Sequence, residues 1–149
     1  MDLSLAPILT VRSTQVNVGL RHVIVLVCAA SAGVHAALVP DHLREGGPRL
    51  GGAFVLSAVL AALAAVALRR PQQAPQQTPQ QLRAAKAAYL ATGLMLLGTA
   101  AAYVLSRTSG LPFLIPDPEE LDPIGAVTSA AEVLGGLASL FLITRKETP

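Results

Sequence analysis

Residues 22–39, 50–68, 87–105 and 124–143 form four apolar blocks, and no other feature restricts the fold of this chain so severely. Each is close to the roughly 20 residues that an α-helix needs to cross a bilayer. None shows the alternating polarity of a half-buried strand, and in hydrocarbon every backbone polar group must be satisfied within its own segment, which leaves helices. Only 13% of the 149 residues are charged and 52% are apolar, whereas a soluble domain carries about 25% charged residues. There is too little polar surface to cover a globule in water. The expected fold is all-α, a single integral membrane domain over 1–149 built as an antiparallel four-helix bundle, with the lipid bilayer as its first partner.

The connections set the orientation. Between the second and third blocks lies RRPQQAPQQTPQQLRAAK (69–86), whose Pro/Gln composition reads as an extended, flexible linker. It carries Arg69, Arg70, Arg83 and Lys86 and no acid. Between the third and fourth lies RTSGLPFLIPDPEELDP (107–123), with Arg107 alone against Asp117, Glu119, Glu120 and Asp122. The positive-inside rule places the Gln-rich linker in the cytoplasm, together with Arg12, Arg21, Arg145, Lys146 and both termini. Eight of the eleven basic residues agree, against Arg44, Arg49 and Arg107. The expected location is a bacterial cytoplasmic membrane, since the high Ala, Arg and Pro usage fits a GC-rich bacterial source.

Several function classes are excluded or disfavoured. The net charge of +2 comes without the aromatic-interleaved basic patch of a nucleic-acid binder, so no nucleic acid partner is expected. Cys28 is the single cysteine, so no disulfide framework exists, and neither of the phosphate-binding glycine patterns GxxxxGK(S/T) and GxGxxG occurs. No nucleophile–base pair is apparent, which argues against an enzyme. HVIVLVCAASA follows a charged N-terminal region as a signal peptide would, but Val27 stands where a lipoprotein site wants a small residue. The block is read as a retained span.

Helices in lipid rely on close backbone approach through small residues. Stripes at spacing four run through Ala29, Gly33 and Ala37, through Ala53, Ser57, Ala61 and Ala65, and through Ala131, Gly135 and Ser139. They are expected to pack the bundle, or to serve contacts with a membrane-protein partner or a second copy. An Ala-rich chain also makes such stripes by chance.

Ionisable groups inside a span cost about 2.5–3.5 kcal/mol on insertion scales and usually mark function. His35 and Glu132 qualify. Glu132 lies eight residues into the fourth block, roughly 12 Å from its outer end. His35 lies about one turn below the outer end of the first. Asp41, His42, Glu45 and Arg107 belong to the same level. His42 and Glu45, at i and i+3, share a face of one turn. His35 and His42 are about 10.5 Å apart along a straight helix, too far to share an ion. Pro40 removes one helical hydrogen bond and clashes with the preceding turn. If it ends or kinks the helix, His42 and Glu45 fold back toward His35, and Glu132 completes a His/His/carboxylate set suited to zinc, copper or iron. In this reading His35, His42, Glu45 and Glu132 are metal ligands, with Arg107 pairing Glu132 and Asp41 a further charge partner. The alternative is ordinary helix-end chemistry, with Pro40 and Asp41 opening a helix, His42 wet, and Glu132 paired with Arg107 or protonated. Asp122 before Pro123 reads as cap and first residue of the fourth helix, and the prolines of 107–123 predict an ordered loop over the bundle mouth.

His35, Pro40, Asp41, His42 and Glu45, then Arg107, Thr108, Gly110, Leu111 and Pro112, and finally Glu132 together resemble a group of small four-span membrane proteins common in actinobacteria and other bacteria. The resemblance covers nearly all of the chain except the Gln-rich linker. Departures are Asp41, where members more often carry Glu, and a second span with Phe54 as its one aromatic residue. It implies architecture and topology and no activity. The expected function is a four-span protein with an outer-face His/carboxylate cluster holding a metal ion or cofactor. The alternative is a non-catalytic accessory or assembly subunit of a larger membrane complex. A third reading is a proton-coupled component in which Glu132 titrates.

Overall fold

The computed structural model describes residues 6–69 and 78–145, with side chains from Val16 onward. Four helices account for nearly all of these residues: α1 (Ala6–Glu45), α2 (Gly47–Arg69), α3 (Pro79–Thr108) and α4 (Pro123–Thr144). All four are long and apolar enough to cross a membrane. The chain is a multi-pass α-helical membrane protein, as the apolar blocks predict. Side chains such as Leu26, Leu63, Leu94, Val127 and Leu134 stand exposed on the outside of the bundle. In water they would be a liability; against lipid tails they are the expected surface.

Each helix packs on two neighbours in the cyclic order α1–α2–α3–α4–α1. The pairs are antiparallel. Gly93 of α3 meets Gly136 and Leu140 of α4 while Tyr103 meets Gly125, so the two chains run in opposite directions. A side chain at Gly93 would press within 3.2 Å of the Gly136 carbonyl, so these glycines let two backbones approach closely.

Two expectations about helix boundaries need correction. α1 does not end or break at Pro40 but runs through it to Glu45. Pro40 has no N–H to give to the ladder, yet the helix continues past it, with the Gly46 N–H donating to the His42 carbonyl at 3.0 Å. The reversal into α2 comes at Gly46–Gly47, where Gly47 takes φ +68°, a conformation that side-chain-bearing residues rarely adopt. Likewise, the second half of the Pro/Gln segment is helix. Thr78 caps α3: its hydroxyl accepts from the Gln81 N–H at 3.3 Å while the Gln81 side chain accepts from the Thr78 N–H at 2.9 Å. Pro79 follows at the first helical position. The rest of that expected flexible linker, 70–77, lies outside the described residues.

The stripes divide. Ala61, Ala65, Gly135 and Ser139 are buried at helix contacts, as expected. The α1 stripe is not: Ala29, Gly33 and Ala37 are all exposed, and nothing lies within 4 Å of a side chain built at Gly33. α1 instead turns Ile24, Cys28, Ser31 and His35 inward. Polar Ser31 and His35 share that face because their partner, Glu132, waits across the interface.

Candidate functional site: a polar cavity at the loop end

The bundle is packed differently at its two ends. Near the termini Ile24, Cys28, Leu68, Tyr89 and Leu96 close on one another, with Leu142 and Ile143 against them. Toward the α1–α2 and α3–α4 connections the helices part around a cavity of about 480 Å³, walled by all four helices and roofed by Leu111, Leu114 and Ile115. That volume falls within the roughly 300–1,000 Å³ of small-molecule sites.

Glu132 forms part of its floor and is only 1% exposed. Ser31 donates its hydroxyl proton to Glu132 Oε1 at 2.6 Å, and His35 Nε2 sits 3.2 Å from the same oxygen. Spacing explains the assembly: Ser31 and His35 are one turn apart on α1, so both reach one carboxyl group on α4. With Glu132 ionised, Nε2 carries the hydrogen of that contact. Nδ1 of His35 is buried and has no hydrogen-bond partner. A neutral imidazole then offers an unused lone pair beside the carboxylate.

His42 and Phe54 build the wall above. The two rings stack with centroids 3.7 Å apart and planes 25° from parallel. Phe54 also meets the edge of His35 at 5.5 Å. His42 Nδ1 donates to the Leu38 carbonyl at 2.8 Å, so its hydrogen sits on Nδ1. Thr99 and Ser106 of α3 donate their hydroxyl protons back to their own helix, at 2.9 Å to Leu96 O and 2.8 Å to Tyr103 O. Both therefore present only oxygen lone pairs to other partners.

The roof is held by Arg107. Its guanidinium pairs with Glu119 at 3.0 Å and Asp122 at 2.9 Å, and donates to the Glu120 carbonyl. It also stacks over Tyr103 at 4.9 Å, while the Tyr103 hydroxyl donates to the Asp122 carbonyl at 3.0 Å. Asp122 caps α4 by accepting from the Gly125 N–H, with Pro123 next, as the sequence predicts. Gly110, at φ +72°, starts the turn, and a side chain there would collide with the Pro116 carbonyl. One cation thus ties together both ends of the 109–122 connection.

The sequence-derived ligand set is brought together only in part. His35 and Glu132 meet; His42 and Glu45 line the cavity but do not join them. Among the described residues no three His, Cys, Asp or Glu side chains converge in an arrangement able to hold a metal ion. The cause is that α1 continues through Pro40: His42 stays two turns beyond His35 on the same helix and stacks on Phe54. Arg107 does not pair with Glu132 but with Glu119 and Asp122, and Asp41 pairs with Arg44 at 3.2 Å. Ser31, Phe54, Thr99 and Tyr103 escaped the sequence reading. For Ser31 the signal was present, because a hydroxyl four residues before His35 on an apolar helix must find a partner. No protein family model, curated protein or solved structure matches this chain.

Proposed function

We propose that this protein is a non-enzymatic binding protein of a bacterial cytoplasmic membrane, with both termini in the cytoplasm and a cavity opening at the outer face that takes up a small solute. One observation carries the reading: a carboxyl group 1% exposed, Glu132, is held against a four-helix cavity of about 480 Å³. A purely structural bundle gains nothing by leaving such space beside its costliest side chain. The orientation is supported by Arg69, Arg83, Lys86 and Arg145 at one end of the bundle and Asp117, Glu119 and Glu120 at the other. Thermal unfolding of the detergent-solubilised chain against a library of small solutes tests the reading. Thr99→Leu fills the cavity wall without touching a charge. Solutes that stabilise the wild type and not this variant support the proposal; a library without a hit, or hits indifferent to the variant, ends it. Stoichiometric zinc, copper or iron in the purified wild type, absent from His35→Ala, would replace the solute by a metal centre.

The accessory-subunit reading keeps one observation of its own. Ala29, Gly33 and Ala37 present a strip of small residues on the outside of α1, uncovered by any element of this chain, and such strips admit a second helix at close range. Gly33→Leu would abolish co-purification of a partner or a second copy, while leaving the thermal midpoint of the isolated chain unchanged.

A further inference from the structure

The chemistry of the cavity wall is lopsided. Six carboxyl groups line it, those of Asp41, Glu45, Glu119, Glu120, Asp122 and Glu132, against the single guanidinium of Arg107. That guanidinium is already engaged with Glu119 and Asp122, and Asp41 pairs with Arg44 outside the cavity lining. This leaves Glu45, Glu120 and Glu132 without a guanidinium or ammonium partner among the ion pairs of the described residues. The neutral polar groups lean the same way. Thr99 and Ser106 have spent their protons on their own helix, leaving acceptor oxygens. His35 Nδ1 is buried without a partner, and in the neutral ring, with Nε2 directed at Glu132, it is an acceptor rather than a donor. The floor carboxylate receives one hydroxyl proton and one imidazole contact on the same oxygen. When the imidazole is neutral, no full positive charge faces it. Beside these groups stand Phe54, Leu38, Leu50, Leu114 and Ile115, which give the same cavity an apolar side.

A solute that fits these walls brings hydrogen-bond donors and a positive charge at one end and a hydrocarbon body at the other. We infer that the cavity binds a small organic ammonium ion, its N–H groups directed to Glu132 and its apolar part lying against Phe54 and the roof leucines. This rests on the cavity being a solute site and names the class of solute. Anions meet the carboxyl groups unfavourably, and neutral alcohols leave the buried charge unanswered. A bare metal ion finds His35 and Glu132 but no third ligand among the described residues. The exposed acids Glu45 and Glu120 then act as an entry funnel that raises the local concentration of cations.

The chain carries its own reporter, since Cys28 is its single cysteine and is buried. Labelling by a thiol-reactive maleimide dye during heating therefore reads unfolding of the full-length protein in detergent. Four probes are compared at equal concentration: n-butylammonium, n-butanol, n-butyrate and zinc chloride. At ten times its dissociation constant butylammonium is expected to raise the midpoint by about 4 °C, with the alcohol and the carboxylate giving none of it. Glu132→Gln should abolish the shift. Glu45→Gln combined with Glu120→Gln, which alters only exposed side chains, should reduce it and weaken its dependence on salt. An equal shift from butanol or butyrate overturns the ammonium assignment while leaving a solute site in place. A shift from zinc alone, or from none of the four, overturns it as well. If Glu132→Gln fails to fold, the mouth double variant decides: an unchanged butylammonium shift and salt dependence overturn the proposal.

Discussion

The two ends of the same four helices have been used for opposite purposes. At the terminal end Ile24, Leu68 and Leu96 are completely enclosed and the packing is largely apolar, with Thr92 and Ser139 as buried hydroxyl residues. At the loop end the interior holds a carboxyl group, an imidazole, several hydroxyls and the cavity. Close packing at one end supplies the rigidity that lets the other stay open, because a bundle that is loose along its whole length collapses onto any void. The comparison also explains why Glu132 sits midway along α4. It lies where the dry packing stops, next to Ser31 on the last well-packed turn of α1.

Substitutions can break or sharpen this division. The largest expected effect is Leu96→Ala at the packed end, which removes a fully enclosed side chain and should cost about 2–4 kcal/mol, read as a lowered thermal midpoint. Leu114→Ala, on the cavity roof, should cost far less; equal losses at the two sites would erase the distinction between the ends. Next comes Glu132→Ala, which strips Ser31 and His35 of their shared partner and should cost about 1–3 kcal/mol. Loss of the α4 cap in Asp122→Ala should cost about 1 kcal/mol. It should also speed amide exchange across 111–120, since Arg107 loses one of its anchors there. Smallest of all is Gly33→Ala, whose new methyl meets nothing within 4 Å; the midpoint of the isolated chain should not move.

How far the sequence reveals this protein differs between residues. Span number and type followed from hydrocarbon's demand for internally bonded backbone, and the Asp122–Pro123 cap followed from local chemistry that needs no tertiary context. His35 and Glu132 were legible as a pair of inward polar groups because lipid penalises any other placement. The Thr78–Gln81 capping box was also written in the chain, and was obscured by the surrounding Pro/Gln repeats. Other features could not be read. Whether α1 stops at Pro40 or continues depends on what the neighbouring helix offers, and here it continues and His42 finds Phe54 on α2. Arg107 chooses among several acids, and the turn started by Gly110 brings Glu119 and Asp122 nearer than Glu132. Small-residue stripes name a face without naming its occupant, so the α1 stripe points outward while that of α4 points in.

By itself, then, the sequence determined that this chain is a four-helix membrane bundle with polar groups gathered at one level, because hydropathy and backbone satisfaction act on each segment independently. Which polar groups meet, and that they border a cavity, was decided only by tertiary structure. Those outcomes depend on the relative rotation and register of packed helices, and a rotation of one residue, about 100°, exchanges a lipid-facing side chain for one facing the interior.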